Sequence, residues 1–280
     1  MKFLRKYVNL HFHVLLLCYQ KVLISTDKSL FEKLFNLKSF FLRTKSRVKW
    51  TGSCFVVLDK RIPNFSYEFR HQRQGNMAYE KGIIERAEIL SKSYFLDLID
   101  FKKGDVFFDC GANVGDIHIW FELNNIDIDY VAFEPSPIEY QCLKNNISTA
   151  KINNLGLWNS QGTLRFYLSS QGADSSLIQP KNYDEVIEVK VDKLENLIHR
   201  KIKCFKLEAE GAEPEILEGI GNKLNMIEFI TADLGYERGT LEESTFIPVT
   251  NYLLQRGFEL VGVGHDRICA IYKNRNFNNH

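Results

Sequence analysis

No C-x-x-C pair occurs anywhere in the 280 residues. The six cysteines (Cys18, Cys54, Cys110, Cys142, Cys204, Cys269) are scattered, which suits buried thiols in a reducing cytoplasm and argues against a disulfide framework or a structural zinc site. Charge of one sign is also lacking. With 36 Lys+Arg against 35 Asp+Glu the formal net charge is +1, so the total recommends neither nucleic acid nor an anionic membrane as partner. No apolar run is long enough to cross a bilayer, which takes about 20 residues. The best, Val14 to Tyr19, follows Lys2, Arg5 and Lys6 as in a signal peptide, but His11, His13, Gln20 and Lys21 interrupt or flank it and no small-residue cleavage site follows. Internal repeats, low-complexity tracts and His/Asp spacings suited to a metal are missing too, so metal independence is expected.

What is present is an ordinary globular composition, 45% hydrophobic and 25% charged, sufficient for one sizeable α/β core. A soft boundary near residues 50 to 75 separates an N-terminal accessory region, 1–75, from a main domain, 76–280. Residues 1 to 48 are rich in Lys, Arg, Phe and Leu. They are expected to supply an accessory helix packed on the core; a helix lying on a membrane periphery or on a partner protein is the alternative.

From residue 105 onward, short apolar runs alternate with helical patterns, the rhythm of a doubly wound, mostly parallel sheet. Strands are expected at Val106–Phe108, Val131–Phe133, Lys151–Leu157, Cys204–Leu207 and Met226–Ala232, followed by Phe258–Val263 and Ile268–Tyr272. Ser136 with Pro137 and Glu139 reads as a capping box opening a helix, and Thr245 opens another that Gly257 stops. Thr163–Leu168 and Val186–Val191 read as extended excursions at one edge.

The sharpest local feature is Asp109-Cys110-Gly111-Ala112-Asn113-Val114-Gly115, between a strand and a helix starting near Ile117. Its glycines let backbone approach a ligand. A carboxylate at that turn repels a pyrophosphate and suits a cation, so Asp109 disfavours a dinucleotide and favours S-adenosylmethionine, which carries an ammonium and a sulfonium. Glu134 ends the second strand, where a carboxylate can accept from both ribose hydroxyls of an adenosine. Asn153 on the third strand falls near the place for an adenine ring; a turn amide is the plainer role.

Residues 104–115, GDVFFDCGANVG, with Phe133-Glu134-Pro135-Ser136, resemble the cofactor half of FkbM-family methyltransferases. Lys206-Leu207-Glu208-Ala209-Glu210-Gly211-Ala212-Glu213 resembles that family's K-x-D-x-E-G-A-E run, with Glu208 where the family usually has Asp. Thr231 to Gly239 and Glu243-Ser244-Thr245 resemble a later segment of one bacterial branch. The resemblance implies a Rossmann-like class I methyltransferase fold and S-adenosylmethionine as cofactor, held by Asp109, Gly111, Ala112, Asn113, Gly115, Glu134, Pro135, Ser136 and Asn153. It also implies O-methylation of a sugar, nucleotide-sugar or lipid-linked glycan in polysaccharide biosynthesis; the scattered cysteines add a cytoplasmic location and the balanced charge no nucleic-acid partner.

Glu208 and Glu210 end the fourth strand and Asp233 the fifth, where ligands of open α/β sheets bind. Methyl transfer to an alcohol needs its proton removed, and neighbouring acids can raise one carboxyl's pKa for that task, so Glu208, Glu210 and Asp233 are the catalytic candidates. The plainer reading makes Glu210, Glu213 and Glu215 helix-start acids. Glu237 and Arg238 could clamp a substrate or form a surface ion pair, and His118 and His265 are expected to be structural or solvated. Two rivals remain: a nicotinamide-dependent sugar-modifying enzyme, which lacks its G-x-G-x-x-G here, and a cofactor-binding scaffold for a glycosyltransferase.

Overall fold

A computed structural model describes residues 22, 23, 25–148, 150–169, 174–265 and 267–277. The apolar run Val14 to Tyr19 lies outside them. The chain forms two compact units, Met1–Ile83 and Ile84–His280.

In the first unit α1 (Lys28–Phe41) starts at Asp27, whose carboxylate accepts from the amides of Ser29 and Leu30, both at 3.0 Å. An antiparallel meander follows, β1 (Ser46–Trp50), β2 (Phe55–Asp59) and β3 (Ser66–Phe69), then α2 (Gln72–Tyr79). Phe31, Phe35, Phe55, Phe69 and Tyr79 fill its core. The segment read from sequence as a soft boundary is thus this small sheet. Alternation within it is short and is blurred by buried Ser46 and Asp59 and by outward Val56 and Leu58, which hides the period of two. The near-zero total charge also conceals a division. Residues 1–83 hold 16 basic and 5 acidic residues; residues 84–280 hold 20 and 30.

The second unit begins within α3 (Ile83–Ser93). In chain order come β4 (Val106–Cys110), α4 (His118–Leu123), β5 (Asp129–Phe133), α5 (Pro137–Asn146), β6 (Lys151–Asn153), β7 (Gly156–Leu157), β8 (Gly162–Leu168) and β9 (Glu185–Asp192). They are followed by β10 (Ile202–Leu207), α6 (Glu213–Ile220), β11 (Ile227–Asp233), β12 (Tyr236–Arg238), β13 (Glu243–Ser244), α7 (Phe246–Leu254), β14 (Phe258–Val263) and β15 (Cys269–Asn274). Seven strands form one sheet in the order β14-β15-β11-β10-β4-β5-β6, and β15 alone runs antiparallel to its neighbours. Strand β4 is buried along its whole length. Val106, Phe108 and Cys110 join one core and Phe107 the other, so successive side chains feed opposite faces. The chain winds from β4 outward through β5 and β6, then returns to β10 on the other side. The carboxyl ends of β4 and β10 therefore flank the crevice where strand order reverses. This is the Rossmann-like class I methyltransferase arrangement that the sequence implied.

Two local expectations need correction. The strand expected over Lys151–Leu157 breaks after Asn153, because the Asn154 amide donates to the carbonyls of Glu134 (2.9 Å) and Pro135 (3.0 Å) and turns the chain. Gly156 and Leu157 instead pair with β9 in a separate sheet, ordered β7-β9-β8, which is the expected edge excursion. The capping box at Ser136 is not formed. The Ser136 hydroxyl donates to the Glu139 carboxylate and its amide to Glu134 (2.8 Å), so a stronger charged acceptor displaces the reciprocal cap.

Candidate active site

The loop after β4 is held by its own hydrogen bonds. The amides of Gly111 and Ala112 both donate to the Phe133 carbonyl at 3.1 Å, and that of Gly115 to Ala112 at 2.8 Å. The Asn113 amide donates to Glu134 at 2.7 Å, with Asn113 itself in the left-handed region at φ 50°. A turn that cradles a pyrophosphate must offer such amides to the ligand; here they are spent. Gly111 is required for a different reason than ligand approach. At φ 67° an added Cβ would lie 1.9 Å from the Glu208 carbonyl oxygen, so the glycine lets the ends of β4 and β10 meet.

Glu134, at the end of β5, is buried and accepts from the Asn113 and Ser136 amides, one on each oxygen. Burial pushes its carboxyl up to about 8, with Glu139 adding to the rise. Each oxygen retains a lone pair, so the group fits a ligand that brings hydroxyl donors. Pro135 is half-buried and Ser136 buried, just before α5. The Asn153 amide donates to the Ala132 carbonyl of the neighbouring strand at 3.0 Å, a cross-strand bond and not the turn weighed for it.

Behind the loop runs a chain of alternating charge. Lys206 of β10 is buried, with its ammonium 2.9 Å from Asp109 and 2.8 Å from Glu208, and it also donates to the carbonyls of Gly111 (2.8 Å) and Cys110 (3.1 Å). Burial alone would lower its pKa, but Asp109 and Glu208 outweigh that and hold it above the usual lysine value. Asp109 takes a second hydrogen bond from the Tyr130 hydroxyl. The cation expected to pair with Asp109 is thus supplied by the protein itself. Glu208 continues the chain to Arg267, at 2.7 Å, and Arg267 also pairs with Asp233.

The strand ends bring Glu208, Glu210 and Asp233 together as expected, but in unequal states. Burial opposes ionisation of Glu208, yet Lys206 and Arg267 prevail and hold its carboxyl well below the usual range. The raised value expected of a base belongs to its neighbours. Asp233 is pushed up to about 6 by burial and by Glu208, against Arg267. Glu237, on β12, is pushed up to about 8 by burial, Asp233 and Glu208, against Arg267. Glu210 is raised well above its ordinary value by burial and then chiefly by Glu237. Among the described residues neither Glu210 nor Glu237 has a cation or hydrogen-bond donor on its side chain. Glu210 is also held at φ 49°, an unfavourable conformation for a side chain with a Cβ.

Other acids of the run are structural. Glu213 is buried and accepts from the amides of Ala209 (2.9 Å) and Gly211 (3.2 Å) and the Thr245 hydroxyl (2.9 Å), which pins the loop carrying Glu210. Glu215 and Arg238 form a two-pronged ion pair at 2.6 and 2.8 Å. His118 is buried against Tyr130, and burial lowers its pKa to about 4. Lys206 stood inside the family-like run, yet its part as hub shows only once β4 and β10 are paired. Arg267, on the loop before β15, and Tyr94, whose ring centroid lies 5.5 Å from the Lys206 ammonium, carry no local sequence signal. Among the described residues no group of three or more His, Cys, Asp or Glu side chains is arranged to hold a metal ion.

The profile of the methyltransferase FkbM domain matches residues 109–260, from the first acid of the charge chain to β14. The 31-O-demethyl-FK506 methyltransferase FkbM of Streptomyces tacrolimicus is 23% identical over 203 residues, covering 59% of this chain and 76% of that protein. Methyltransferase sdnD of Sordaria araneosa is 26% identical over 178 residues, covering 48% of this chain and 69% of that protein. Among solved structures, a SAM-dependent methyltransferase from Aquifex aeolicus matches 68% of this chain and 95% of its own at 10% identity and a TM-score of 0.40. Since the family profile spans more than half of the 280 residues, the chain belongs to the FkbM-domain methyltransferases and has S-adenosylmethionine as its methyl donor.

Proposed function

We propose that the protein methylates a hydroxyl oxygen of a sugar, presented free, on a nucleotide or on a lipid-linked glycan, during polysaccharide synthesis in the cytoplasm. The observation that carries the oxygen acceptor is the Glu210–Glu237 carboxyl pair beside Asp233. Burial and the charges of Asp233 and Glu208 bring Glu237 to about 8 against the pull of Arg267, within reach of neutral pH, and among the described residues no cation bonds to its carboxyl. A carboxylate in that state is suited to take a proton from an alcohol. The name of the Streptomyces relative specifies an O-demethyl compound as its substrate, which supports oxygen as the acceptor atom.

Glu134 and the loop Gly111, Ala112, Asn113 and Gly115, with Pro135 and Ser136 at the rim, would hold the cofactor, and Asp109 sets the loop's field through Lys206. When bound, S-adenosylmethionine supplies a methyl group on a sulfonium sulfur. Glu237 would accept the proton of the acceptor hydroxyl, leaving that oxygen free to receive the methyl group. Arg267 holds Glu208 and Asp233 ionised, and their charges keep Glu237 basic enough to act. Asn153 steadies the strand pair beneath Glu134.

The test is incubation of the full chain with isotope-labelled S-adenosylmethionine and glycans from cells lacking the gene. Label recovered as a methyl ether on a sugar is the expected result. Label on nitrogen or carbon contradicts the oxygen assignment, and cofactor binding without transfer to any glycan pool favours the scaffold role.

A further inference from the structure

The first unit carries a surface that the methyl-transfer chemistry does not use. Helix α1 packs Phe31 and Phe35 inward. The spacing of Leu30, Leu34, Leu37 and Phe41 places a second apolar stripe along its other side, and Phe40 extends that stripe at the last turn. Leu37, Phe40, Phe41 and Leu42 are between 50% and 72% exposed, and the two Phe rings meet edge to face at 5.7 Å. Helix ends in soluble proteins seldom leave four large apolar residues in water without a partner.

The stretch of chain that carries and follows this patch is of one charge. From Lys33 to Leu58 there is no acidic residue and there are six basic ones: Lys33, Lys38, Arg43, Lys45, Arg47 and Lys49. Lys38 is buried on Asn76 and Glu80, and Arg47 donates to the Ser46 carbonyl. Lys33, Arg43, Lys45 and Lys49 are exposed, and among the described residues no carboxylate pairs with them. The same unit holds 16 basic residues against 5 acidic ones, in a chain whose remainder is acidic.

We infer that the end of α1 docks on an anionic lipid surface, with Leu37, Phe40, Phe41 and Leu42 entering the headgroup boundary and Lys33, Arg43, Lys45 and Lys49 meeting lipid phosphates. Two observations separate lipid from other polyanions. The apolar side chains lie next to the cations, and a nucleic-acid backbone has nothing to bury two leucines. Aromatic rings and long basic chains are the side chains that divide themselves between an apolar layer and water. Among the described residues no helix is long and apolar enough to cross a membrane, so attachment here is to one face. A methyltransferase held at that face would meet acceptors carried on lipid, but the docking does not depend on the acceptor's identity.

The experiment is co-sedimentation of the full chain with vesicles of phosphatidylglycerol and phosphatidylcholine in equal parts, and with vesicles of phosphatidylcholine alone. Binding is expected to the mixed vesicles, to weaken with added salt, and to be slight on the neutral ones. Arg43→Glu with Lys45→Glu, and separately Phe40→Ser with Phe41→Ser, should each lower partitioning roughly tenfold or more while circular dichroism and S-adenosylmethionine binding stay unchanged. All four positions are exposed, so the fold should tolerate them. Equal binding to neutral vesicles, partitioning unaltered in both variants, or tighter binding to an oligonucleotide than to the mixed vesicles overturns the inference. So does a stable dimer in solution that the Phe variants abolish.

Discussion

Glu237 and Glu208 stand in the same acidic cluster and are expected to respond to the same substitution in opposite ways. Glu237→Gln removes an unpaired carboxyl, so turnover should fall by roughly 10²- to 10⁴-fold, the usual scale for a lost general base, with cofactor affinity and melting temperature unchanged. The pH profile carries the sign. A base works only when deprotonated, so the wild-type rate should rise with pH through about 8 and then level off, and the variant should lose that limb. A profile already flat below pH 7 excludes Glu237. Glu208→Gln removes instead the charge that joins Lys206 at 2.8 Å to Arg267 at 2.7 Å. Its first effect should be on stability, a loss of about 1.5 to 3 kcal/mol read by thermal or urea denaturation. An unchanged melting temperature with a collapsed turnover would return the base role to Glu208. Glu237, inside β12, reads only as a substrate clamp or a surface ion pair, whereas Glu208, Glu210 and Asp233 are legible in the sequence because they follow strand ends. Which of them is unpaired is not, because the deciding cation, Arg267, comes from a loop about 60 residues away that only the pairing of β11 with β15 brings back.

At the scale of elements, the strand ends are fixed by close backbone approach as much as by side chains. Gly111→Ala would drive a Cβ into the Glu208 carbonyl at 1.9 Å from a left-handed backbone. Strain of that kind costs about 1 to 3 kcal/mol before the clash is counted. The melting temperature should fall and S-adenosylmethionine binding weaken together, since β10 and the loop must part. A variant with wild-type stability would mean that the two strand ends do not meet as described. Legibility follows the same physics. Strands β4, β5, β10 and β11 could be placed from sequence because burial on both faces writes a continuous apolar run. The split of β6 from β7 could not, since the side-chain bonds of Asn154 that turn the chain leave no trace in periodicity. The meander of β1 to β3 is hidden likewise, by polar Ser46 and Asp59 facing in and apolar Val56 and Leu58 facing out.

For the whole molecule the central claim is that the loop after β4 serves S-adenosylmethionine and not a dinucleotide. It rests on the family match over residues 109–260 and on two features of the structure. The amides of Gly111, Ala112, Asn113 and Gly115 are already bonded within the protein, and Glu134 keeps a lone pair on each oxygen for a ligand that brings hydroxyl donors. A pyrophosphate finds no free amide donors there, whereas the hydroxyls of an adenosine ribose find the Glu134 carboxyl. The most direct measurement is calorimetric titration of the purified full chain with S-adenosylmethionine, its demethylated product and NAD, repeated with Glu134→Ala. The expected result is saturable binding of the first two, none of NAD, and a loss of about 1 to 3 kcal/mol in the variant from the missing hydroxyl acceptor; NAD binding more tightly than S-adenosylmethionine would contradict it.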